Sequence, residues 1–273
     1  MARDPGRGDL PHRSRLRRDH RRRARRRDAD RPYGERLMAT ATVLTIGSEL
    51  VSGDVPNTNG SWLARRLAPL GVSVRLIAAV PDDIDAIADF VRREAPLVDM
   101  LFVTGGLGGT PDDITREAIA HTFGLEQEEI ADLAAGLRER FVRDPEYAAA
   151  WAQLPAGARP LANPLGGAPG FVVENVYVLP GLPSEMEAMF DAIAEELRRG
   201  EPIGSWRETY RTHESTIASL LVEAGERWPG VLIGSYPTFL ADGARVEVVV
   251  KSSDAAALAE ASAWLASAIE ERS

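Results

Sequence analysis

The chain has 273 residues, no cysteine, a single lysine (Lys251) and a formal net charge of −9. Disulfide scaffolds, thiol nucleophiles and cysteine-based metal sites are therefore excluded, as is lysine chemistry in the main domain. Residues 1–37 hold 14 arginines against six acids, whereas the remainder holds 18 basic and 35 acidic residues, so the body is no general nucleic-acid or acidic-membrane binder.

Residues 1–37 are rich in Arg, Asp, Pro and Gly and poor in large apolar side chains, the composition of a disordered tail. Three readings stay open. Translation begins at Met38, directly before the first strand; or the tail is a solvated extension; or it is a basic arm built on Arg21–Arg27, although no aromatic residue interleaves with that run to stack bases. No apolar stretch follows the arginines, so this is no secretory signal. No apolar run reaches membrane-spanning length, and a cytoplasmic location fits.

Thr42–Ile46 reads as a strand, with Gly47, Ser48 and Glu49 at its carboxyl end, where ligands bind in open α/β sheets. Glu49 is either a ligand-contacting acid or an exposed loop residue. The histidines are His12, His20, His121 and His213, and none is placed to serve Ser48, so a Ser-His-Asp triad is not expected. Asn57 and Asn59 are ligand contacts or helix caps. A helix then runs to about Leu70, with Leu63, Leu67 and Leu70 on one face and Gly71 as its stop. Val72–Val80 is the next strand. Asp82 reads as the N-cap of a helix bearing Ile84, Ile87 and Val91.

Val98–Val103 is a short apolar strand, and Gly105, Gly106, Gly108 and Gly109 follow it at once. Such a loop turns sharply and brings backbone N–H groups close to a ligand. Thr110-Pro111-Asp112-Asp113 is expected to open the next helix, with Thr110 as N-cap, Pro111 at the first position and acids in the first turn. Phe123-Gly124 closes it. A helix N-terminus beside free N–H groups is an anion site. The aspartates would repel a bare phosphate, so a divalent cation between carboxylate and phosphate resolves the conflict. The loop matches neither GxGxxG nor the P-loop, and taken alone it reads equally well as a tight turn with an aspartate cap.

Glu128–Phe141 reads as a helix and Asp144–Trp151 as a short helical piece. Asn163–Gly170 is an aperiodic Gly/Pro loop, and Phe171–Val173 and Val176–Leu179 form a hairpin-like pair. Pro180 and Gly181 lead into a helix for which Ser184 and Glu187 make a capping box, while Met186, Met189, Phe190 and Ile193 supply its buried face. Beyond Gly200-Glu201-Pro202 the order is βαββα: Trp206–Thr212, Glu214–Arg227, Val231–Tyr236, Arg245–Lys251 and Asp254–Glu271.

Four strings carry a resemblance: TIGSELVSGDVPNTN at Thr45–Asn59, TGGLGGTPDDIT at Thr104–Thr115, NPLGGAPGF at Asn163–Phe171 and VLPGLPSEMEAMF at Val178–Phe190. In this order they resemble the MoaB/Mog molybdopterin-binding domain as it occurs in the competence/damage-inducible protein A (CinA) family. Gly109 departs from the pattern, which usually has proline there. The resemblance implies an α/β domain over 38–200, a mostly parallel sheet sandwiched by helices. A small α+β KH-type domain is implied over 201–273, where Gly234-Ser235-Tyr236-Pro237 resembles the usual GSYP string. Nucleic-acid binding does not follow from it. The GxxG loop that clamps RNA is replaced by Gly225-Glu226-Arg227-Trp228, and a structural or dimerising role is expected. The nicotinamide-mononucleotide deamidase domain of many CinA proteins has no counterpart in this sequence, so that activity is not expected.

The activity implied is metal-dependent hydrolysis of the pyrophosphate bond of ADP-ribose or a related dinucleotide. The alternatives are molybdopterin binding with adenylyl transfer, and a non-catalytic nucleotide-binding role. By the same resemblance Asp82 and Asp113 are the catalytic pair and, with Asp112, the ligands of a divalent ion (Mg, Mn or Co). Gly47, Ser48, Glu49, Thr104, Gly105, Gly106, Gly108, Thr110, Pro180, Gly181, Ser184 and Glu185 are the implied ligand contacts. The ligand is a small nucleotide or pterin, and a homo-oligomer is implied by relatives.

Overall fold

A computed structural model describes residues 39–272. The expectations for the arginine-rich segment 1–37 and for a start at Met38 lie outside the described residues. In chain order the first half comprises β1 (Ala39–Ile46), α1 (Ser48–Ser52), α2 (Thr58–Leu67), β2 (Val72–Val80), α3 (Ile84–Glu94), β3 (Met100–Thr104) and α4 (Thr115–Phe123). Then come β4 (Gln127–Glu129), α5 (Ala131–Arg140), α6 (Pro145–Ala149), β5 (Gln153–Pro155), β6 (Arg159–Leu161), β7 (Gly170–Val173), β8 (Val176–Leu179) and α7 (Pro183–Leu197). The chain ends with β9 (Gly204–Tyr210), α8 (Glu214–Arg227), β10 (Leu232–Leu240), β11 (Gly243–Ser252) and α9 (Ala255–Glu270).

The main sheet has the order β2-β1-β3-β8-β7-β6. β2, β1, β3 and β8 run parallel; β7 returns antiparallel to β8, and the edge strand β6 is antiparallel to β7 and so runs with the parallel set. Period-two alternation decides which face each side chain joins. Leu44, Ile46, Leu101, Val103, Val176 and Val178 pack under α3 and α4 with Ile87, Val91 and Ile119. Ala41, Val43, Met100, Phe102, Tyr177 and Leu179 point the other way, onto Leu63, Leu67, Met186, Met189 and Phe190 of α2 and α7. The result is a sheet with helices on both faces, as a parallel sheet buried on both sides requires.

One sequence expectation fails in the covering segment. Residues 127–129 pair with β5 as a small antiparallel ribbon instead of starting a helix at Glu128. The helix begins only at Ala131, because this pairing is nonlocal and competes with the local helical preference. The C-terminal elements follow the expected βαββα order. Their sheet, β10-β11-β9, is separate from the first and has its own core around Ile217, Val248, Leu265 and Ile269.

The segment joining the two sheets is tied down. The N–H of Arg199 donates to the Leu70 carbonyl at 2.9 Å, and that of Ile203 to the Ala68 carbonyl at 2.9 Å. Gly71 ends the single 3₁₀ turn after α2 at φ 74°, and a Cβ there would lie 2.7–2.8 Å from the Gly200 backbone. Among the described residues, no helix is long and apolar enough to cross a membrane.

Two outcomes follow. Gly71→Ala adds a left-handed-backbone penalty to a backbone clash and should lower unfolding stability by about 1–3 kcal/mol in denaturant melts. Phe190 is fully buried, with its ring 5.3 Å edge-on from Trp62 and 6.0 Å from Phe102, so Phe190→Ala should cost about 3–5 kcal/mol in the same measurement.

Candidate active site

The strand order places a topological switch between β1 and β3. From β1 the chain moves to β2 on one side, and then crosses over β1 to β3 on the other. A crevice opens outside the carboxyl ends of strands at such a point. Gly47 follows β1, Pro81-Asp82 follows β2 and Gly105 follows β3, so the sequence-predicted loops meet at this edge.

On the β1–β2 side, the N–H and Oγ of Ser48 donate to Asp82 Oδ2 at 2.8 and 2.9 Å. Asp82 is thus not the cap of the helix that follows it. Asp83 is that cap, accepting from the Ala86 N–H at 2.8 Å. Asp82 instead binds the first residue of α1, and its Oδ1 accepts no hydrogen bond from the described residues. The exposed Glu49 folds its carboxylate back against Gly47.

The glycine loop is shaped from beneath. Gly105 and Gly106 adopt φ 113° and 63°. A side chain at Gly105 would strike the Ile46 carbonyl, and one at Gly106 the Thr115 hydroxyl. Thr115 Oγ1 donates to the Gly105 carbonyl at 2.8 Å and the Thr115 N–H to the Gly106 carbonyl at 3.2 Å. The Arg116 guanidinium donates to the carbonyls of Leu107 and Gly108, the latter at 3.3 Å. Four consecutive carbonyls are therefore engaged on one side. In a trans peptide the N–H points opposite to its own carbonyl, and cis peptides are absent among the described residues. The N–H groups of Gly106, Leu107, Gly108 and Gly109 are thus turned away from the clamp, and none has an acceptor among the described residues. Such a row of free N–H groups favours an anion.

Arg116 is the functional residue that sequence reasoning missed. It is only 8% exposed, and burial lowers its pKa to about 10, partly offset by the nearby Asp113 charge. It remains a cation at neutral pH and adds positive potential under the loop. The available signal was its helical phase. Arg116 shares a face with Ile119, Ala120 and Phe123, so a charge stands in an apolar stripe.

The expected helix start at Thr110 is also corrected. Residues Thr110–Asp113 form a turn, and α4 begins at Thr115 with Ile114 as its N-cap and no side-chain cap. Asp113 Oδ2 accepts from the Thr110 N–H at 2.8 Å and from its hydroxyl at 2.6 Å, and lies against Gly108. The same hydroxyl reaches Asp112 Oδ1, and this hydrogen bond holds the Asp112 carboxyl below the usual carboxylate range. The sequence motif supplies the right residues but closes a loop with them, so the anion site rests on loop N–H groups and not on the end of a helix.

The third wall comes from the turn after β8. Gly105 N–H donates to the Leu179 carbonyl at 3.2 Å, and Gly181 packs against Gly105. Thr104 is buried, and its hydroxyl donates to the Pro180 carbonyl at 2.6 Å, so it braces the site from below. Asn59 donates to Thr104 Oγ1 at 3.1 Å and to the Gly181 carbonyl at 2.8 Å, binding three loops together. Asn57 is the cap of α2. The capping box at Ser184 does not form. Pro183 occupies the first turn of α7, Leu182 is the N-cap, and no side chain caps it. Ser184 is exposed one residue inside the helix. Glu185 accepts from Asn163 Nδ2 at 3.0 Å and lies against Gly167, bracing the Asn163 loop.

Asp82 thus follows β2 and Asp113 lies in the loop nine residues beyond β3, and these two strands flank β1 and stand about 10 Å apart. Each is tied to its own side, Asp82 to Ser48 and Asp113 to Thr110. Among the described residues, no group of three or more His, Asp or Glu side chains is arranged to hold a metal ion. Asp112 and Asp113, joined through one hydroxyl, offer the hard oxygen donors that a divalent ion takes. They fit an ion that draws its remaining ligands from phosphate and water, as Mg²⁺ commonly does, and do not form an all-protein cage.

Residues 42–199 match the family described as "Probable molybdopterin binding domain", and residues 209–273 match "FAD synthase, middle domain". The second description does not mention the KH type expected for this segment. A protein of Archaeoglobus fulgidus is 36% identical over 197 residues, 71% of this chain and 84% of the relative. A CinA-like protein of Frankia casuarinae is 39% identical over 238 residues, which is 79% of this chain and 54% of that protein's length. The crystal structure of the protein CinA from Thermoplasma acidophilum, whose function its description gives as unknown, is 32% identical with a TM-score of 0.55, over 59% of this chain and 98% of the other. The first match spans more than half of the sequence and coincides with the sheet that carries the cleft: the chain belongs to the MoaB/Mog-type molybdopterin-binding domain family and is a CinA-like member of it.

Proposed function

We propose that the domain over residues 42–199 hydrolyses the pyrophosphate bond of ADP-ribose or a related dinucleotide. The observation that carries this reading is the set of four outward N–H groups over buried Arg116, rimmed by Asp112 and Asp113. The N–H groups hold non-bridging phosphoryl oxygens and stabilise the charge that develops on them during displacement. Asp112 and Asp113 are the residues that would hold a divalent ion, which when bound neutralises phosphate charge and lowers the pKa of water, while Asp82, expected as a third ligand, stands across the cleft. Asp82 presents Oδ1 to the attacking water and takes its proton, while Ser48 fixes Oδ2. Water forms the new P–O bond as the bridging P–O bond breaks, giving AMP and ribose 5-phosphate from ADP-ribose. Glu49 and Ser184, both exposed on the two sides of the cleft, are the contacts for the sugars.

The family description, which names molybdopterin binding, is compatible with a second reading, molybdopterin binding with adenylyl transfer. The same N–H cradle would then hold the pterin's phosphate. Parallel incubations separate the two, ADP-ribose with a divalent ion in one and molybdopterin with ATP in the other. AMP release in the first alone supports hydrolysis. Adenylylated pterin in the second alone overturns it.

Two further outcomes are expected. Asp113→Asn should lower kcat for AMP release on the order of 100-fold with Mg, Mn or Co present; a wild-type rate would remove the carboxylate from the mechanism. Chelation should abolish turnover of the wild-type protein, and one of the three ions should restore it. Undiminished turnover in excess chelator would refute the metal requirement.

A further inference from the structure

The short helix α6 brings an aromatic ring to the glycine loop. Tyr147 Cε2, Cζ and Oη lie 2.5, 2.6 and 2.7 Å from the point where a Cβ on Gly109 would stand. Only a residue without a side chain lets the ring lie there. Gly109 also carries one of the four outward N–H groups, so the ring sits at the rim of the anion cradle. Tyr147 is held from behind. Its ring meets Trp151 edge-on at 5.5 Å, and Trp151 meets Phe141 edge-on at 5.1 Å. Trp151 is 8% exposed, whereas Tyr147 remains 44% exposed. A large aromatic surface is thus fixed in place yet left open to solvent, within one sugar's reach of the cradle.

We propose that Tyr147 is a specificity-determining residue that stacks on the base of a nucleotide whose phosphate occupies the glycine loop. This rests on the nucleotide reading of the site and deepens it, because the loop alone would accept any phosphate ester. A base presents a π-face to the ring, and base–aromatic stacking contributes to affinity without regard to hydrogen-bonding pattern. The arrangement therefore selects for a planar base and discriminates weakly between bases.

The test is calorimetric titration of the full chain and its Tyr147→Ala and Tyr147→Phe variants with AMP and, separately, ribose 5-phosphate. Tyr147→Ala should raise the Kd for AMP on the order of tenfold and leave that for ribose 5-phosphate unchanged, while Tyr147→Phe keeps both. Equal AMP affinity in wild type and Tyr147→Ala overturns the proposal. So does an equal loss for both ligands, which would make Tyr147 a positioning residue for the loop. ADP-ribose hydrolysis is assayed beside the titrations. A wild-type protein that binds AMP with the expected Tyr147 dependence but releases none from ADP-ribose overturns only the hydrolase reading. A wild-type protein that binds neither ligand overturns both.

Discussion

The site depends on the grip that Thr115 and Arg116 take on four carbonyls of the glycine loop. A loop of small residues has many conformations of similar energy, and ordering it costs entropy. Here the cost is met by hydrogen bonds to the first two residues of α4, one of them a buried cation. The strain-tolerant glycines make the shape possible, and the clamp makes it unique. Because the peptide unit is rigid, fixing the carbonyls also fixes the donors on the opposite side. The anion cradle is in this sense a by-product of burying the carbonyls well.

Charge balance around the cradle follows from the same geometry. Arg116 stays inside and positive, Asp112 and Asp113 stay at the rim, and one threonine hydroxyl lies between the two carboxylates. Asp82 is held apart on the far side of β1 by Ser48. A phosphate entering this space meets attraction from below and repulsion from the rim. That combination suits a ligand arriving with a counterion, and it disfavours bare anions.

Much of this was legible in the sequence. The strands that bear the loops are apolar runs of the right length, and β2 and α8 keep the bounds that periodicity gives them. The errors cluster where one residue type serves two local structures. Thr110-Pro111-Asp112-Asp113 has the chemistry of a helix start, but asparagine-, aspartate- and threonine-type side chains close turns with the same hydrogen bonds. Asp82 and Asp83 are both competent caps; the choice falls to Asp83 because Ser48, 34 positions earlier, claims its neighbour. Ser184 fails as a cap because Pro183 already stands at the first turn. Asn59 acts on groups distant in the chain and leaves no spacing that local reading can detect, whereas Arg116 is marked only by its place in an apolar stripe.

Gly109 has a consequence for what the chain can become by mutation. The family pattern it resembles carries a proline at that position, and a pyrrolidine ring there would occupy the volume that Tyr147 fills. The protein can have a stiffened turn or an aromatic brim, not both. A side chain at 109 therefore has to wait for a smaller residue at 147, whereas 147 can change first while Gly109 stays.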